Sequence, residues 1–290
     1  MRIGWIGAGK VGFSFGKYMV SHGVSVSGYY SRNLNTAREA ARFTGSKVYE
    51  ELETIVADSD ALFLTVPDGA IEEVWNSLKQ YALAGKCICH CSGAMSSSVF
   101  SGIDSKQAYG YSIHPLFAVS DKLQSYRELS KAFFTIEYSQ ESAKEKAAYF
   151  KELLQSLGNE VRMIRADQKV LYHSAAVFAS NLVTGLFQTA AELLESCGFE
   201  KGEGERALYP LFLNNCENIV SQGVAASLTG PVERGDMQKI EKHLQVLSGE
   251  NREIYQALSG KLIAVAEQKN SGRDYSEVKA VLENGFCKAG

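Results

Sequence analysis

Residues 2–12 read RIGWIGAGKVG, a short apolar run followed by three glycines in the pattern G-x-G-x-x-G. The apolar run predicts a strand and the following stretch a helix, so the glycines form a strand-to-helix turn. Gly7 permits the tight turn, Gly9 lets the backbone approach a pyrophosphate, and Gly12 lets helix and strand pack closely. The start of the helix favours bound phosphate. The predicted pyrophosphate-binding residues are Gly7, Ala8, Gly9, Lys10, Val11 and Gly12. A glycine turn without a ligand is the alternative.

Short apolar runs alternate with amphipathic stretches along residues 1–165. Such alternation favours an α/β domain with a doubly wound, mostly parallel sheet covered by helices on both faces. The predicted strands are 2–6, 24–30, 61–66, 86–91, 108–114, 132–137 and 160–164, the last at a sheet edge. The predicted helices are 11–22, 35–44, 71–81 and 142–157.

The pattern becomes helical throughout after residue 165. We therefore predict two domains, an α/β domain over 1–165 that carries the glycine loop and an all-helical domain over 166–290. Their residues, taken in turn, indicate an NADP-binding role for the first domain and a substrate and dimerisation role for the second. The predicted helices of the second domain are 168–197, 205–221, 236–247, 251–268 and 275–283. The first of these is long and apolar with little charge, so we expect it to bury a face against a second copy of the chain.

The second strand ends in Ser31-Arg32-Asn33, where NAD sites usually carry an acidic residue for the ribose 2′-hydroxyl. A guanidinium suits a 2′-phosphate, so the sequence favours NADP(H), with NAD less likely. An ordinary surface arginine is the alternative for Arg32, and an S-adenosylmethionine enzyme is a remote alternative for the loop. Val66 and Pro67 end the third apolar strand and are expected to border the cofactor.

Two further segments end strands at the edge where ligands of open α/β sheets bind. Ser92 and Gly93 are expected where a nicotinamide ring meets its substrate, with Ser92 donating to a substrate oxygen; a structural turn is the alternative. His114 precedes Pro115 at the end of an apolar strand. Histidine titrates near neutrality and can exchange a proton with a carbonyl oxygen, so His114 is the candidate acid or base. For His90, a structural role as a buried and hydrogen-bonded histidine fits as well as a functional role.

The helical domain adds candidates for the substrate site. His173 and Asn181 lie on the predicted long helix and are expected to line a cleft, with polar residues satisfied inside a bundle as the alternative. Arg234 and Thr229 belong to the loop Leu228-Thr229-Gly230-Pro231-Val232-Glu233-Arg234-Gly235-Asp236. Asp236 is a ready helix N-cap, which would hold Arg234 rigidly towards a substrate carboxylate. A structural bridge from Arg234 to Glu233 or Asp236 is the alternative.

The net charge of −3 disfavours nucleic acid and anionic membranes as partners, because both attract basic surfaces. No apolar run is expected to cross a bilayer, and no signal peptide is expected, so we predict a cytoplasmic protein. Three of the six cysteines, Cys87, Cys89 and Cys91, alternate along one strand. They fit small buried hydrophobes better than a metal site or a disulfide, and no metal is predicted.

Several motifs together resemble a family of predicted NADP oxidoreductases with a Rossmann-like N-terminal domain and an uncharacterised helical C-terminal domain. The matching motifs are the 7–12 loop, Ser31-Arg32, His90-Cys91-Ser92-Gly93, His114-Pro115-Leu116, Tyr172-His173-Ser174-Ala175, Ala179-Ser180-Asn181, and 228–236 followed by His243. More distantly the chain resembles ketopantoate reductase, pyrroline-carboxylate reductase, β-hydroxyacid dehydrogenases and prephenate dehydrogenase.

These resemblances imply a Rossmann domain joined to a helical dimerisation domain. His114-Pro115 resembles the catalytic His-Pro of prephenate dehydrogenases. Ketopantoate reductases and β-hydroxyacid dehydrogenases carry Lys-x-x-x-Asn on the long helix, whereas Val177 stands four residues before Asn181 here. His173 or His114 would then have to replace that lysine, or the reaction is a different one.

The resulting expectation is an NADP(H)-dependent oxidoreductase acting on a small oxo-acid or hydroxy-acid. His114 or His173 would serve as acid and base, Asn181 and Ser92 would orient the carbonyl, and Arg234 would hold a carboxylate. A non-catalytic NADP(H)-binding regulator or redox sensor is the alternative.

Overall fold

The computed structural model describes residues 1–284. The chain divides into two compact units, Met1–Ala179 and Ser180–Gly290. The first unit contains an eight-stranded sheet, and the described part of the second is helical. The predicted fold class, a Rossmann domain followed by a helical domain, is confirmed. Cys287 lies outside the described residues.

The sheet of the first unit has the strand order β3-β2-β1-β4-β5-β6-β7-β8. Its strands are β1 Ile3–Ile6, β2 Val26–Tyr30, β3 Lys47–Tyr49, β4 Ala61–Leu64, β5 Cys87–His90, β6 Tyr109–Leu116, β7 Phe133–Glu137 and β8 Glu160–Met163. All neighbouring strands are parallel except β6 and β7, which run antiparallel. The carboxyl ends of β1, β4, β5 and β6 therefore meet along one edge.

Helices connect these strands, and their termini carry identifiable signals. The helices are α1 Lys10–Ser21, α2 Leu34–Thr44, α3 Leu52–Asp58, α4 Asp68–Leu78, α5 Lys144–Ser156 and α6 Lys169–Phe178. Asn33 caps α2, because its side chain accepts a hydrogen bond from the Asn35 N–H at 3.0 Å. Gly45 ends α2 in the left-handed conformation that glycine adopts easily. β3 and α3 were not among the predicted elements, since both are short.

β6 extends beyond its predicted end at residue 114 and includes Pro115. The pairing of β5 with β6 ends at Ser112, after which β6 pairs only with β7. A proline therefore stays in the strand because one side of β6 is no longer paired there. His114 consequently lies inside a strand and not at its end.

Apolar side chains cover both faces of the sheet because side chains alternate along each strand. One face carries Trp5, Phe63, Cys87 and Cys89, and the other carries Ile6, Leu62, Leu64 and Ile88. Cys91 packs against the first face. The described cysteines are free thiols, and those of β5 are buried, as the sequence predicts. Burial raises the pKa of Cys91 to about 12, so it is an unreactive thiol.

The predicted long helix over 168–197 is wrong, because the helix is broken at Ala179 and Ser180. α6 ends at Phe178 and α7, Asn181–Ser196, begins the second unit. We also expected no apolar run long enough to cross a bilayer. By length and composition alone, this expectation is wrong. The segment Ala166–Ser196 has 31 residues and a mean hydropathy of 1.4 over its most apolar window, none of which is buried. Each of the two helices alone is shorter than the roughly 20 residues a bilayer requires.

The second unit consists of helices within its described residues. Besides α7, they are α8 Glu203–Gln222, α9 Val224–Ser227, α10 Pro231–Arg234, α11 Met237–Val246, α12 Gly249–Lys269 and α13 Ser276–Asn284. A hydrophobic cluster joins α10 to α13 and includes Val232, Ile240, Ile263 and Tyr275. α7 and α8, by contrast, expose large apolar side chains. These are Leu182, Leu186, Leu193, Tyr209, Leu211, Leu213, Ile219 and Val220.

Candidate functional site

The glycine loop follows β1 and packs tightly against β4. Gly7 has a φ of +102°, and its N–H donates to the Tyr30 carbonyl at 2.8 Å. A Cβ at Gly12 would lie 2.5 Å from the Thr65 hydroxyl and 2.7 Å from the Gly7 carbonyl oxygen. Gly9 precedes α1 and has no side-chain cap. The first N–H groups of α1 are thus available to an anion, which fits the pyrophosphate of a dinucleotide.

A cavity of about 330 Å³ opens beside this loop. It is lined by Ile6, Gly7, Ala8, Gly9, Tyr30, Ser31, Arg32, Thr36, Leu52, Thr65, Val66, Pro67, Ala70, Glu73, Val74 and Ser77. Ser31, Arg32 and Thr36 lie on the turn from β2 into α2. The Thr36 hydroxyl donates to Ser31 Oγ at 3.2 Å, and the Arg32 side chain is exposed. Two hydroxyls and a guanidinium on one turn fit the 2′-phosphate of NADP.

The predicted cofactor-binding residues lie in four places. Gly7, Ala8, Gly9, Ser31, Arg32, Val66 and Pro67 line the cavity. Lys10, Val11 and Gly12 form the first turn of α1. Asn33 caps α2, and Ser92 and Gly93 follow β5 at the same sheet edge.

A second group of polar side chains meets at the carboxyl ends of β5 and β6. α6 presents Lys169, Tyr172 and His173 on one face, because residues three and four apart are neighbours on a helix. This face contacts the segment after β5 through Ser92 and Gly93, and it contacts β6 through Ser112 and His114. All of these residues belong to the first unit.

His114 and Tyr172 form a hydrogen-bonded pair. The distance from His114 Nδ1 to the Tyr172 hydroxyl oxygen is 2.7 Å, and the rings meet edge to face at 87°. Burial, together with the charges of Lys169, His173 and His90, lowers the pKa of His114 to about 3. The imidazole is therefore neutral at pH 7. If the Tyr172 hydroxyl donates to Nδ1, His114 carries its hydrogen on Nε2.

His173 and His114 converge on Gly93. A Cβ built on Gly93 would lie 2.8 Å from His173 Nδ1 and 3.0 Å from His114 Nε2. His173 Nδ1 is buried and has no hydrogen-bond partner in the structure. A buried polar atom without a partner is costly, so a small polar group of a ligand fits here. The two imidazoles can therefore bind one polar substrate atom near Gly93.

Ser92 has its hydrogen bonds already made. Its hydroxyl donates to Asp68 Oδ2 at 2.7 Å and accepts from the N–H groups of Ala94 and Met95 at 3.3 and 3.0 Å. These bonds hold the turn after β5. His90 supports the same turn, since its Nδ1 accepts from the Ser92 N–H at 3.2 Å. Burial lowers the pKa of His90 to about 4, so it too is neutral.

The remaining predicted site residues lie in the second unit. Asn181 begins α7, and its Oδ1 accepts from the Ser180 hydroxyl at 3.0 Å. Thr229 is exposed before α10, and Arg234 is exposed at the end of α10. Asp236 caps α11 by accepting from the Lys239 N–H at 3.1 Å, as the sequence predicts. Among the described residues, no group of three or more His, Cys, Asp or Glu is placed to hold a metal ion.

Sequence reasoning missed Lys169 and did not give Tyr172 a role. Lys169 is 1% exposed, and its ammonium donates to the Ser92 carbonyl oxygen at 2.8 Å and to Ser112 Oγ at 2.7 Å. The available signal was a lysine three and four residues before Tyr172 and His173, on the apolar stretch. A helix predicted only as long and apolar did not indicate which face met the sheet.

Family models match two parts of the chain. Residues 2–93 match the model described as NADP oxidoreductase coenzyme F420-dependent. Residues 133–262 match a domain of unknown function. The predicted resemblance to NADP oxidoreductases with an uncharacterised helical domain is thereby confirmed. No curated protein matches the chain.

Solved structures of similar fold cover nearly the whole chain. A protein from Thermotoga maritima is 26% identical with a TM-score of 0.72, covering 92% of this chain and 99% of its own. A pyrroline-5-carboxylate reductase from Coxiella burnetii is 12% identical with a TM-score of 0.59, covering 98% and 97%. A reductive aminase from Aspergillus terreus, in complex with NADPH and ethyl-5-oxohexanoate, is 14% identical with a TM-score of 0.59, covering 99% and 94%. The latter two likenesses establish the fold alone.

Proposed function

We propose that the chain is an NADPH-dependent reductase of a small oxo-acid that acts in the cytoplasm. The observation that carries the proposal is the convergence of His114 Nε2 and His173 Nδ1 on Gly93, at the sheet edge that also carries the dinucleotide loop. Bound NADPH would supply a hydride. The chain itself must then hold the carbonyl and deliver one proton to its oxygen.

The glycine loop and the β2–α2 turn support the choice of cofactor. The N–H groups at the start of α1 would hold the pyrophosphate. Ser31, Arg32 and Thr36 would hold the 2′-phosphate, and Arg32 would bind it with two parallel hydrogen bonds. The turn carries no carboxylate for a free ribose 2′-hydroxyl, so NADH is the poorer cofactor.

His114 is the proton donor in this proposal. The carbonyl carbon gains a hydride, and the carbonyl oxygen gains the proton from His114 Nε2. His114 Nδ1 takes the hydroxyl proton of Tyr172 at 2.7 Å as Nε2 gives up its own. For the next turnover, Nδ1 returns that proton to Tyr172 and water re-protonates Nε2. The imidazole thus never needs a net positive charge, which its burial disfavours. His173 Nδ1 would hold the same carbonyl oxygen through a second hydrogen bond.

Ser92 has a supporting role, because its hydroxyl is used by Asp68 and by two backbone N–H groups. It shapes the turn that carries Gly93. Asn181, Thr229 and Arg234 belong to the second unit and remain predicted substrate residues, with Arg234 for a carboxylate.

We also propose that the chain forms a homodimer through α7 and α8. Contiguous exposed apolar side chains mark interaction surfaces, and a two-fold dimer is the commonest assembly of soluble proteins. Leu211, which is 67% exposed, and Val220, which is 87% exposed, are examples of the apolar side chains that a dimer would bury. Nucleic acid and membranes are not proposed as partners. A monomer in sedimentation at micromolar concentration would contradict the dimer.

The test of the reductase is NADPH consumption with a panel of small 2-oxo acids, including ketopantoate. NADH and a set of cyclic imines run beside it, and NADPH binding is measured by fluorescence. Turnover of an oxo-acid with NADPH supports the proposal, and turnover of imines alone contradicts the substrate class. Tight NADPH binding without turnover of any substrate would favour the non-catalytic regulator or redox sensor.

A further inference from the structure

Lys169 is a buried cation held by neutral oxygens. Lysine is almost never fully buried without a specific partner, yet Lys169 is 1% exposed. Its ammonium donates to the Ser92 carbonyl and to the Ser112 hydroxyl, at the ends of β5 and β6. It also lies 5.6 Å from the centroid of the Tyr172 ring. The side chain therefore joins α6 to the two strands that carry the candidate site.

Carboxylates face this ammonium but are bonded elsewhere. Glu137, opposite Ser112 in the sheet, accepts from the Ser97 N–H at 2.7 Å and from the Ser97 hydroxyl at 2.9 Å. Asp68 accepts from Ser92. Burial lowers the pKa of Lys169 to about 8, and the charges of Glu137, Cys91 and Asp68 oppose that shift. The ammonium thus remains mostly protonated at pH 7.

Among the described residues, no carboxylate is one of the groups that influence the charge of His114. These groups are Lys169 and His173 on α6, His90 on β5, and the hydroxyl of Tyr172 on α6. In a Ser-His-Asp triad, by contrast, a carboxylate bonds the second ring nitrogen and stabilises the imidazolium. Here a phenol occupies that place and an ammonium is nearby. Both features favour the uncharged imidazole.

We propose that Lys169 is a positioning residue whose buried charge keeps His114 uncharged, so that the site works with a neutral imidazole donor. The inference rests on the reductase proposed above. A positive charge in a poorly solvated region penalises a second positive charge close by. A neutral imidazole keeps the same N–H donor from weakly acidic to weakly alkaline pH. The Lys169 hydrogen bonds to Ser92 and Ser112 also hold the turn next to Gly93.

The experiment is an NMR titration of the full chain with ¹³Cε1-labelled histidine, which requires no turnover. His114→Gln assigns the signal. In the wild type we expect no titration of His114 between pH 5 and 8. Lys169→Gln removes the charge and keeps an N–H donor on the side chain. We expect the His114 midpoint to rise by about one to two pH units in this variant. Lys169→Arg, which keeps the charge, should leave the midpoint low.

A matched control is Lys86→Met, which removes a half-buried lysine at the opposite end of β5 whose ammonium donates to the Ser59 carbonyl. It should leave the His114 signal unchanged. A His114 midpoint near 6.5 in the wild type would overturn the inference even if no variant folds. So would an unchanged midpoint in folded Lys169→Gln, or an equal rise in Lys169→Arg. Failure of the reductase assay would leave the titration result standing, so the two failures are distinguishable.

Discussion

Two histidine–tyrosine pairs in the chain have nearly the same geometry but different surroundings. His114 Nδ1 lies 2.7 Å from the Tyr172 hydroxyl, and His243 Nδ1 lies 2.9 Å from the Tyr255 hydroxyl. Each pair of rings meets edge to face at 87°. The first pair lies at the carboxyl edge of the sheet beside Lys169, whereas the second joins α11 to α12. A hydrogen-bonded histidine–tyrosine pair is therefore not sufficient by itself to define a catalytic site.

The electrostatic setting separates the two pairs. His243 lies in the last turn of α11, and its partner Tyr255 lies on α12. His114 lies in a strand beside a buried ammonium, where positive charge is disfavoured. Only the first pair has a second imidazole, His173, directed at the same spot. Proton transfer is therefore proposed for the first pair, and a role in helix packing for the second.

Substitution of the histidine in each pair should change kcat very differently, and this is the strongest effect that we expect. His114→Gln should lower kcat for oxo-acid reduction by about 10²- to 10⁴-fold, the usual contribution of a general acid. NADPH affinity should change little, since His114 lies outside the dinucleotide cavity. His243→Gln, the matched control, should keep kcat within about twofold while losing about 1 kcal/mol of stability with its hydrogen bond. Equal losses of kcat in both variants would remove the distinction.

Gly93→Ala tests whether the two imidazoles share one binding spot. The new Cβ would lie 3.0 Å or less from His114 Nε2 and His173 Nδ1, so one or both rings must move. A displacement of about 1 Å at a reacting centre costs on the order of 100-fold in rate. Gly185→Ala, on α7 with open space around the new Cβ, is the control. Unchanged kcat/KM in folded Gly93→Ala would show that the substrate binds elsewhere.

The fold followed from the sequence more completely than the site did. The glycine loop and the alternation of strands with helices predicted the Rossmann domain, because backbone turns and apolar periodicity are local properties. The break at Ala179 and Ser180 was missed, since both residues are compatible with a helix and no glycine or proline marks the position. The extension of β6 through Pro115 depends on where β5 ends, which is a property of the sheet.

The candidate site shows the same limit. His114 and His173 were recognised as candidates by residue type and neighbouring motif. Lys169 was not, because its role arises from Ser92 and Ser112, which are 77 and 57 residues away in sequence. Conversely, Ser92 was taken as a substrate ligand, whereas its hydroxyl is used by Asp68. Side-chain hydrogen bonds between distant strands cannot be read from local patterns.

Arg32→Ala measures cofactor choice. We expect NADPH affinity to fall by about tenfold to a hundredfold, because charged hydrogen bonds contribute about 1.5–3 kcal/mol. NADH affinity should stay nearly constant, since NADH lacks the 2′-phosphate. The control is Arg38→Ala on α2, which removes an exposed ion pair with Glu50. Equal losses for both cofactors in Arg32→Ala would contradict the assignment of the β2–α2 turn.

Over a single pH unit, the dependence of stability on pH gives the smallest effect. The pKa of His114 is about 3 in the folded chain and near 6.5 in the unfolded chain, so the unfolded chain binds an extra proton between these values. The free energy of unfolding should therefore fall as pH falls below 6.5, by up to about 1.4 kcal/mol per pH unit for this group. Urea unfolding at a series of pH values should show that the free energy of unfolding of His114→Gln depends less steeply on pH than that of the wild type. The same pH dependence in both would contradict a buried neutral imidazole.

Deuterium labelling follows the proposed hydride transfer from NADPH to the oxo-acid directly. NADPH carrying deuterium at the transferable C4 position is incubated with the chain and the oxo-acid panel, and the products are analysed by mass spectrometry. We expect the wild type and His243→Gln to form a hydroxy-acid with one deuterium on the former carbonyl carbon. His114→Gln should form much less of this product. Tight NADPH binding without a labelled product from any oxo-acid would contradict the proposed hydride transfer.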